Sequence, residues 1–245
     1  MTKFDMSAAW QDGVVLLKSH TALTGTVAAV FLFLPSLAVA WFGPTPIEPP
    51  KGATVDQIMA TFQANVLQML PYQLVVALFT VTGTIAILRL WLSRAGTSVG
   101  EAIGFALRLL PTVIILQILT GFLLGIGFVL LIIPCLYLIG RLAVVSPVVA
   151  DRGLFNPVAA IGESWRLTRG NGWAIFLFLF LVMLVVGIAL LILIGVVGAV
   201  TGAGPGIGHI ISGFVGSAAG VVASLVSIAI SAAVYRQLAM SGVLE

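Results

Sequence analysis

The sequence predicts an all-α, polytopic membrane protein: six transmembrane helices in three hairpins, each preceded by an amphipathic helix on the cytoplasmic surface. Three observations carry the prediction. Of the 245 residues, 60% are apolar and only 8% charged, where a soluble domain is about half apolar and a quarter charged; the mean hydropathy is +1.22. The uncharged runs Ser19 to Ile47, Gln57 to Leu88, Leu109 to Gly140 and Gly170 to Tyr235 each exceed the roughly 20 residues a helix needs to cross hydrocarbon. Lys and Arg also gather on one side of the resulting spans. So little charge cannot follow a nucleic-acid backbone, and no nucleic-acid partner is expected. Cys135 is the sole cysteine, which excludes an internal disulfide.

The spans fall at about 21 to 42, 70 to 92, 112 to 132, 135 to 150, 173 to 200 and 209 to 235. The proline-rich stretch Gly43 to Gly52 reads as an extended outer loop. Gln57 to Leu70 continues as helix into the second span, with Pro71 near the boundary. Thr112 to Ala150 is too long for one crossing and has no polar loop, so a tight turn is placed near Ile132 to Cys135. There Pro134 removes a backbone donor and disfavours helix just before it. A re-entrant pair in place of spans three and four is the alternative. Thr201 to Gly208, rich in glycine with one proline, separates the last two spans.

Orientation follows from the cations. With the N-terminus inside, Lys3, Lys18, Arg89, Arg94, Arg108, Arg141, Arg152, Arg166, Arg169 and Arg236 lie on or toward the cytoplasmic face and only Lys51 lies outside. A single crossing between residues 112 and 150 would destroy that asymmetry. Both termini are therefore expected to be cytoplasmic. The first apolar run lacks a convincing small-residue cleavage site and reads as a retained span.

Three amphipathic segments divide the single membrane domain, 1–245, into units at 1–95, 96–152 and 153–245. Met6, Trp10, Val14 and Leu17 form the first apolar stripe, Val99, Ile103, Leu107 and Leu110 the second, and Val158, Ile161 and Trp165 the third. Helical spacing makes each a candidate interfacial helix. Ser98 with Glu101 offers a capping box, while Asn156, Pro157 and Gly170 suit a helix start and stop. Ala102-Ile-Gly-Phe-Ala-Leu-Arg108-Leu109 also aligns with Ala160-Ile-Gly-Glu-Ser-Trp-Arg166-Leu167, and the first segment matches loosely through Ala9 and Leu16-Leu17. The chain reads as three copies of amphipathic helix plus hairpin.

Leu131-Ile-Ile-Pro134-Cys-Leu-Tyr137-Leu-Ile-Gly-Arg141, followed by Ser146-Pro147, Asp151, Ala159-Ala160, Ser164-Trp165, Leu167-Thr-Arg-Gly-Asn171 and Trp173, resembles the bacterial glycerophosphoryl diester phosphodiesterase membrane-domain family and the related YciC-like integral membrane proteins. The likeness is concentrated in residues 131 to 175, and Cys135 stands where that pattern has glycine. The resemblance implies a six-span inner-membrane protein. It implies no phosphodiesterase activity, because that chemistry belongs to a separate soluble barrel in some members.

The sites open to function are few. Arg141, at a depth of roughly 13 Å from the rise per residue, is a candidate for a lipid phosphate or for pairing with Glu163 or Glu101; the bland alternative is a snorkelling side chain. Arg89, Arg108 and Arg166 are further headgroup candidates within a basic collar completed by Arg94, Arg152 and Arg169. Gly213, Ser217, Gly220, Ser224, Ser227 and Ser231 fall four, three, four, three and four apart, a small-residue seam suited to helix packing or to a lipid or solute groove. His20 and His209, the only histidines, lie on opposite faces and cannot share a metal. No acidic pair lies within a span to couple transport, and no nucleophile has a credible base. No cofactor or metal is expected. The leading expectation is a non-enzymatic protein that organises phospholipid or serves as an accessory subunit of other membrane proteins. A transporter or channel for a neutral or lipid-like solute is second, and a lipid-acting enzyme third.

Overall fold

The computed structural model describes residues 4–19, 21–93, 96–130, 132–201 and 206–241. Lys3, His20, Arg94, Leu131 and the centre of the Thr201 to Gly208 turn therefore lie outside the described residues. Among those described, all regular structure is helical, and six helical stretches are long and apolar enough to cross a membrane: Thr21–Phe42, Val55–Leu92, Val99–Val129, Ile132–Arg152, Gly172–Thr201 and Ile207–Ala239.

Helix α1 (Met6–Lys18) opens on Asp5, whose carboxylate accepts from the Ser7 and Ala8 amides. The first span is α2 (Thr21–Ala28), a π-helical turn over Ala29–Phe33, and α3 (Leu34–Phe42). Pro35 donates no backbone hydrogen bond, and a wider turn relieves that defect; the Ser36 hydroxyl donates to the Leu32 carbonyl at 2.8 Å. The outer loop is not free, because the Asn65 side chain accepts from the Ile47 amide and donates to its carbonyl.

Helix α4 (Val55–Leu92) starts at a Thr54–Gln57 capping box and runs without interruption through Pro71. Helix α5 (Val99–Leu130) likewise continues through Pro111. The second amphipathic segment is thus not a separate interfacial rod; it is the first turns of the third span. Its expected Ser98–Glu101 capping box is present.

The turn expected near Ile132 to Cys135 is present at the start of that stretch: Val99–Val129 and Ile132–Arg152 are separate spans, and Gly127 packs against Cys135 and Leu138 across the hairpin. Helix α6 (Ile132–Leu142) already contains Pro134, near a helix start where a missing donor costs little because early amides have no intrahelical partner. A different break, at Ala143 and Val144, separates α6 from α7 (Val145–Arg152), which ends on Gly153 at φ 62°. Helix α8 (Pro157–Leu167) is capped by Asn156 as the sequence predicts. Helices α9 (Gly172–Thr201) and α10 (Ile207–Ser241) complete the bundle.

The first helix and the last turns of α10 meet at one end of the bundle. Asp12 of α1 pairs with Arg236 of α10 at 3.1 Å, the Gln237 amide donates to the Asp5 carbonyl, and Gly13 abuts Ile230. Arg89, Arg152 and Arg166 lie at this same basic end, where most of the core also sits. One buried cluster joins Ile85 to Leu88 with Ala102, Ala106, Leu109, Val149, Ala150 and Ala232; another joins Val144, Val148, Ile175 and Val234. By contrast, the later half of α9 and the first half of α4 have no buried residue.

The three amphipathic segments repeat a burial pattern. Ala9, Gly13 and Leu16 are buried in the first, Ala102, Ala106 and Leu109 in the second, and Ala160 and Ser164 in the third. Aligned on the sequence match, these are the same register positions. The apolar stripes behave differently from a soluble amphipathic helix: Trp10, Leu107, Val158 and Trp165 are exposed. Small residues let helix backbones approach, and the larger apolar side chains are left facing outward.

Candidate anion site at the basic end

The site is built where α6, α8 and α9 cross. Gly140 of α6 meets the backbone of Gly172 so closely that a Cβ at Gly140 would collide with the Gly172 carbonyl. A Cβ on Gly172 would in turn stand 2.8 Å from the Tyr137 ring and 2.9 Å from Arg141 Cδ. Helix α8 is fastened to this crossing by two hydroxyls: Ser164 and Thr168 both donate to the Arg141 carbonyl, at 2.8 and 3.2 Å. The α8–α9 turn is closed by Gly170 at φ 80°, a left-handed conformation that favours glycine. The Asn171 side chain accepts from the Phe4 amide, tying the N-terminal segment to the same corner.

Arg141 is the product of this packing. Its side chain lies beneath α8, and the residue is only 2% exposed. The guanidinium carbon sits 4.5 Å from the Trp165 ring centre and 5.7 Å from that of Tyr137. Cation–π contact offsets part of the desolvation cost, yet Nε and Nη1 are sealed from solvent and have no hydrogen-bond partner among the described residues. Neither expected acidic partner reaches it. Glu101 is committed to Ser98, and Glu163 binds Arg166 at 2.6 Å and Arg152 at 2.7 Å. The hydrogen bond from Arg166, helped by the Arg152 charge, holds the Glu163 carboxyl below the usual carboxylate range; the same contact raises the Arg166 guanidinium.

A cavity of about 570 Å³ opens over Arg141, lined by Tyr137, Gly162, Trp165, Arg166 and Arg169. Three guanidinium groups line it and no carboxylate does. Among the described residues, no group of three His, Cys, Asp or Glu side chains could hold a metal ion.

The other sequence candidates lie elsewhere. Arg89 donates to the Ala150 and Asp151 carbonyls at the end of α7 and stacks 4.4 Å from the Phe105 ring. It is a helix-end clamp and does not line the cavity, a use hidden from sequence because its acceptors are backbone groups. Arg108 is exposed on α5, away from the cavity. The α10 seam divides in two. Gly213 packs under Trp41, while Ser217 and Gly220 border a cavity of about 400 Å³ with Ser36 and His209. Ser224, Ser227 and Ser231 face a second cavity of about 270 Å³ with Thr80, Thr84 and Ser146. The sequence reading missed Tyr137, Gly140 and Gly172 as parts of the arginine site. The signal available was Gly140 beside an intramembrane cation and Gly172 at the start of the next predicted span.

The fold and this site define a multi-pass α-helical membrane protein with a preformed cationic cavity. No family model, curated protein or solved structure matches the chain.

Proposed function

We propose that this is a non-enzymatic protein of the bacterial inner membrane, with its basic end and both termini cytoplasmic, that organises phospholipid in the inner leaflet. The carrying observation is the face left uncovered by the amphipathic segments. Trp10, Leu107, Val158 and Trp165 are exposed beside a basic rim, the chemistry of helices seated between headgroups and acyl chains. An apolar groove of about 690 Å³ between the first span and α4, lined by Val30, Leu34, Phe42, Tyr72 and Phe79 among others, is suited to an acyl chain. The positive-inside bias supports the orientation. The resemblance of residues 131 to 175 to the phosphodiesterase membrane-domain family supports a membrane role without the phosphodiesterase barrel. An accessory role beside other membrane proteins is the same proposal's second form, supported by the small-residue seam.

The test is purification in native lipid followed by exchange into mild detergent and mass spectrometry. Phospholipid or a partner subunit retained at fixed stoichiometry is expected; a lipid-free, monodisperse monomer contradicts the proposal.

A second reading, passage of a small neutral solute, is favoured by the hydroxyl-lined cavity of Thr80, Thr84, Ser146, Ser224, Ser227 and Ser231. Solute flux in proteoliposomes that is lost on Ser227→Leu favours this reading over the first.

A further inference from the structure

We infer that the cavity over Arg141 is a binding site for a phosphate group, carried on an anionic phospholipid whose acyl chain follows an aromatic ladder down α9. For the lipid source the inference rests on the function proposed above; the phosphate chemistry stands on the site itself. A buried guanidinium with two unpartnered nitrogens is costly to maintain in a medium of low dielectric. Arg141 has no internal acid to neutralise it; of its neighbours in the cavity wall, Arg166 is paired with Glu163 and Arg169 adds charge of the same sign. Such a constellation is completed by an anion. A phosphate offers several oxygens and can bridge guanidinium groups that approach from different helices, and the planar fork of arginine matches it.

The apolar side of the cavity says what carries that phosphate. Tyr137 contacts Trp173 at 5.7 Å between ring centres, Trp173 contacts Phe176 at 6.1 Å, and Phe176 stacks on Phe180 at 5.9 Å. Residues 173, 176 and 180 share one face of α9, so the ladder descends from the cavity into the apolar part of the span. Trp173 and Phe180 are half exposed along it. A free phosphate ion has no use for such a track, whereas a lipid tail gains contact along its length.

The experiment uses the full chain in detergent, with thermal unfolding as the readout and four probes: dioctanoyl phosphatidylglycerol, dioctanoylglycerol, inorganic phosphate and buffer alone. Dioctanoyl phosphatidylglycerol is expected to raise the Tm of the wild-type protein, and dioctanoylglycerol to do so far less. Arg141→Gln should weaken the phosphatidylglycerol response roughly tenfold to a hundredfold, as loss of charge-assisted hydrogen bonds implies. In buffer alone the same variant should unfold no earlier than wild type, since it removes an unpaired buried charge. Arg169→Gln, an exposed change that carries little folding risk, should weaken the response by about tenfold. Phe180→Ala should weaken the lipid response and leave any phosphate response alone.

Inorganic phosphate that stabilises wild type as strongly as the lipid, with Phe180→Ala silent, keeps the phosphate site and overturns its lipid source. Phosphatidylglycerol binding unchanged in both Arg141→Gln and Arg169→Gln, or matched by dioctanoylglycerol, overturns the site. Lipid retention in native purification that persists under that last result leaves the broader function standing, so the two proposals fail separately.

Discussion

The two ends of this bundle are held together by different means. At the basic end helices are joined by hydrogen bonds between distant residues: Tyr235 donates to Asp151 at 2.6 Å, Trp91 to Thr24 at 3.0 Å, Thr112 to the Phe155 carbonyl at 3.0 Å, and Ser164 to the Arg141 carbonyl. At the far end the links are sparse, with Trp41 donating to the Ile210 carbonyl and Asn65 clasping Ile47. Helices α9 and α10 present exposed apolar faces there, including Leu191, Val196, Val200 and Ile207. In lipid, exposure of an apolar side chain carries no hydrophobic penalty, so cohesion comes from close backbone approach and from hydrogen bonds. Those resources are concentrated at the end that carries the cationic cavity. The difference teaches that this fold is densely cross-linked by hydrogen bonds where it holds Arg141 and sparsely joined at the opposite end.

Glycine replacement breaks the comparison most sharply. Gly172→Leu should destabilise the protein by about 3 kcal/mol or more, because the new side chain must displace Tyr137 and Arg141 at a backbone contact. Gly195→Leu, at a position with nothing within 4 Å, should change stability by less than about 0.5 kcal/mol. Unfolding in a denaturing detergent series measures both, and equal effects would remove the contrast.

A hydrogen-bond pair sharpens it next. Tyr235→Phe leaves Asp151 without its 2.6 Å donor and should cost about 1 to 2 kcal/mol. At the far end, Trp41→Phe, losing a 3.1 Å bond to Ile210, should cost less than about 1 kcal/mol on the bond itself.

The caps and the basic end were legible in the sequence, and the way the helices cover one another was not. The helix cap at Asn156 and the capping box at Ser98 and Glu101 follow from local chemistry, and both are present as read. The run of α4 through Pro71 into the second span follows the sequence reading, whereas the second amphipathic segment was wrongly separated from the third span, since α5 continues through Pro111. Within a span, neighbouring helices can tolerate a missing backbone donor. The stripes of Trp10, Leu107 and Trp165 were correctly apolar, but periodicity reports which face is apolar and not which face is covered. In a bilayer the covered face belonged to Ala9, Ala102 and Ala160 instead. The basic residue Arg141 was visible as an outlier in an apolar tract. Its isolation from Glu101 and Glu163 was not, since it depends on Ser98, Arg152 and Arg166 taking those carboxylates first.

The ion-pair bridge between α7 and α8 supplies a smaller, pH-dependent effect. The Glu163 carboxyl titrates below its ordinary value through the Arg166 hydrogen bond and the Arg152 charge. Its stabilisation is therefore complete above the unfolded carboxylate value and is lost as pH falls through the lower folded one. With Arg166 largely exposed, the contribution should be less than about 1 kcal/mol. Glu163→Gln should flatten that acid limb in a series of thermal unfolding curves. The smallest effect belongs to the far end, where Leu191→Ala on exposed α9 should shift stability by less than about 0.5 kcal/mol.

The proposed cytoplasmic placement of the basic end is tested by single-cysteine labelling in a Cys135→Ser background. A membrane-impermeant maleimide is applied to intact spheroplasts and then to permeabilised ones, with Ser7→Cys, Ala159→Cys and Thr54→Cys as probes, all at exposed positions. The account predicts that Thr54→Cys reacts in intact spheroplasts, while Ser7→Cys and Ala159→Cys react only after permeabilisation. Ser7→Cys reacting from outside, or from the side opposite Ala159→Cys, would contradict it.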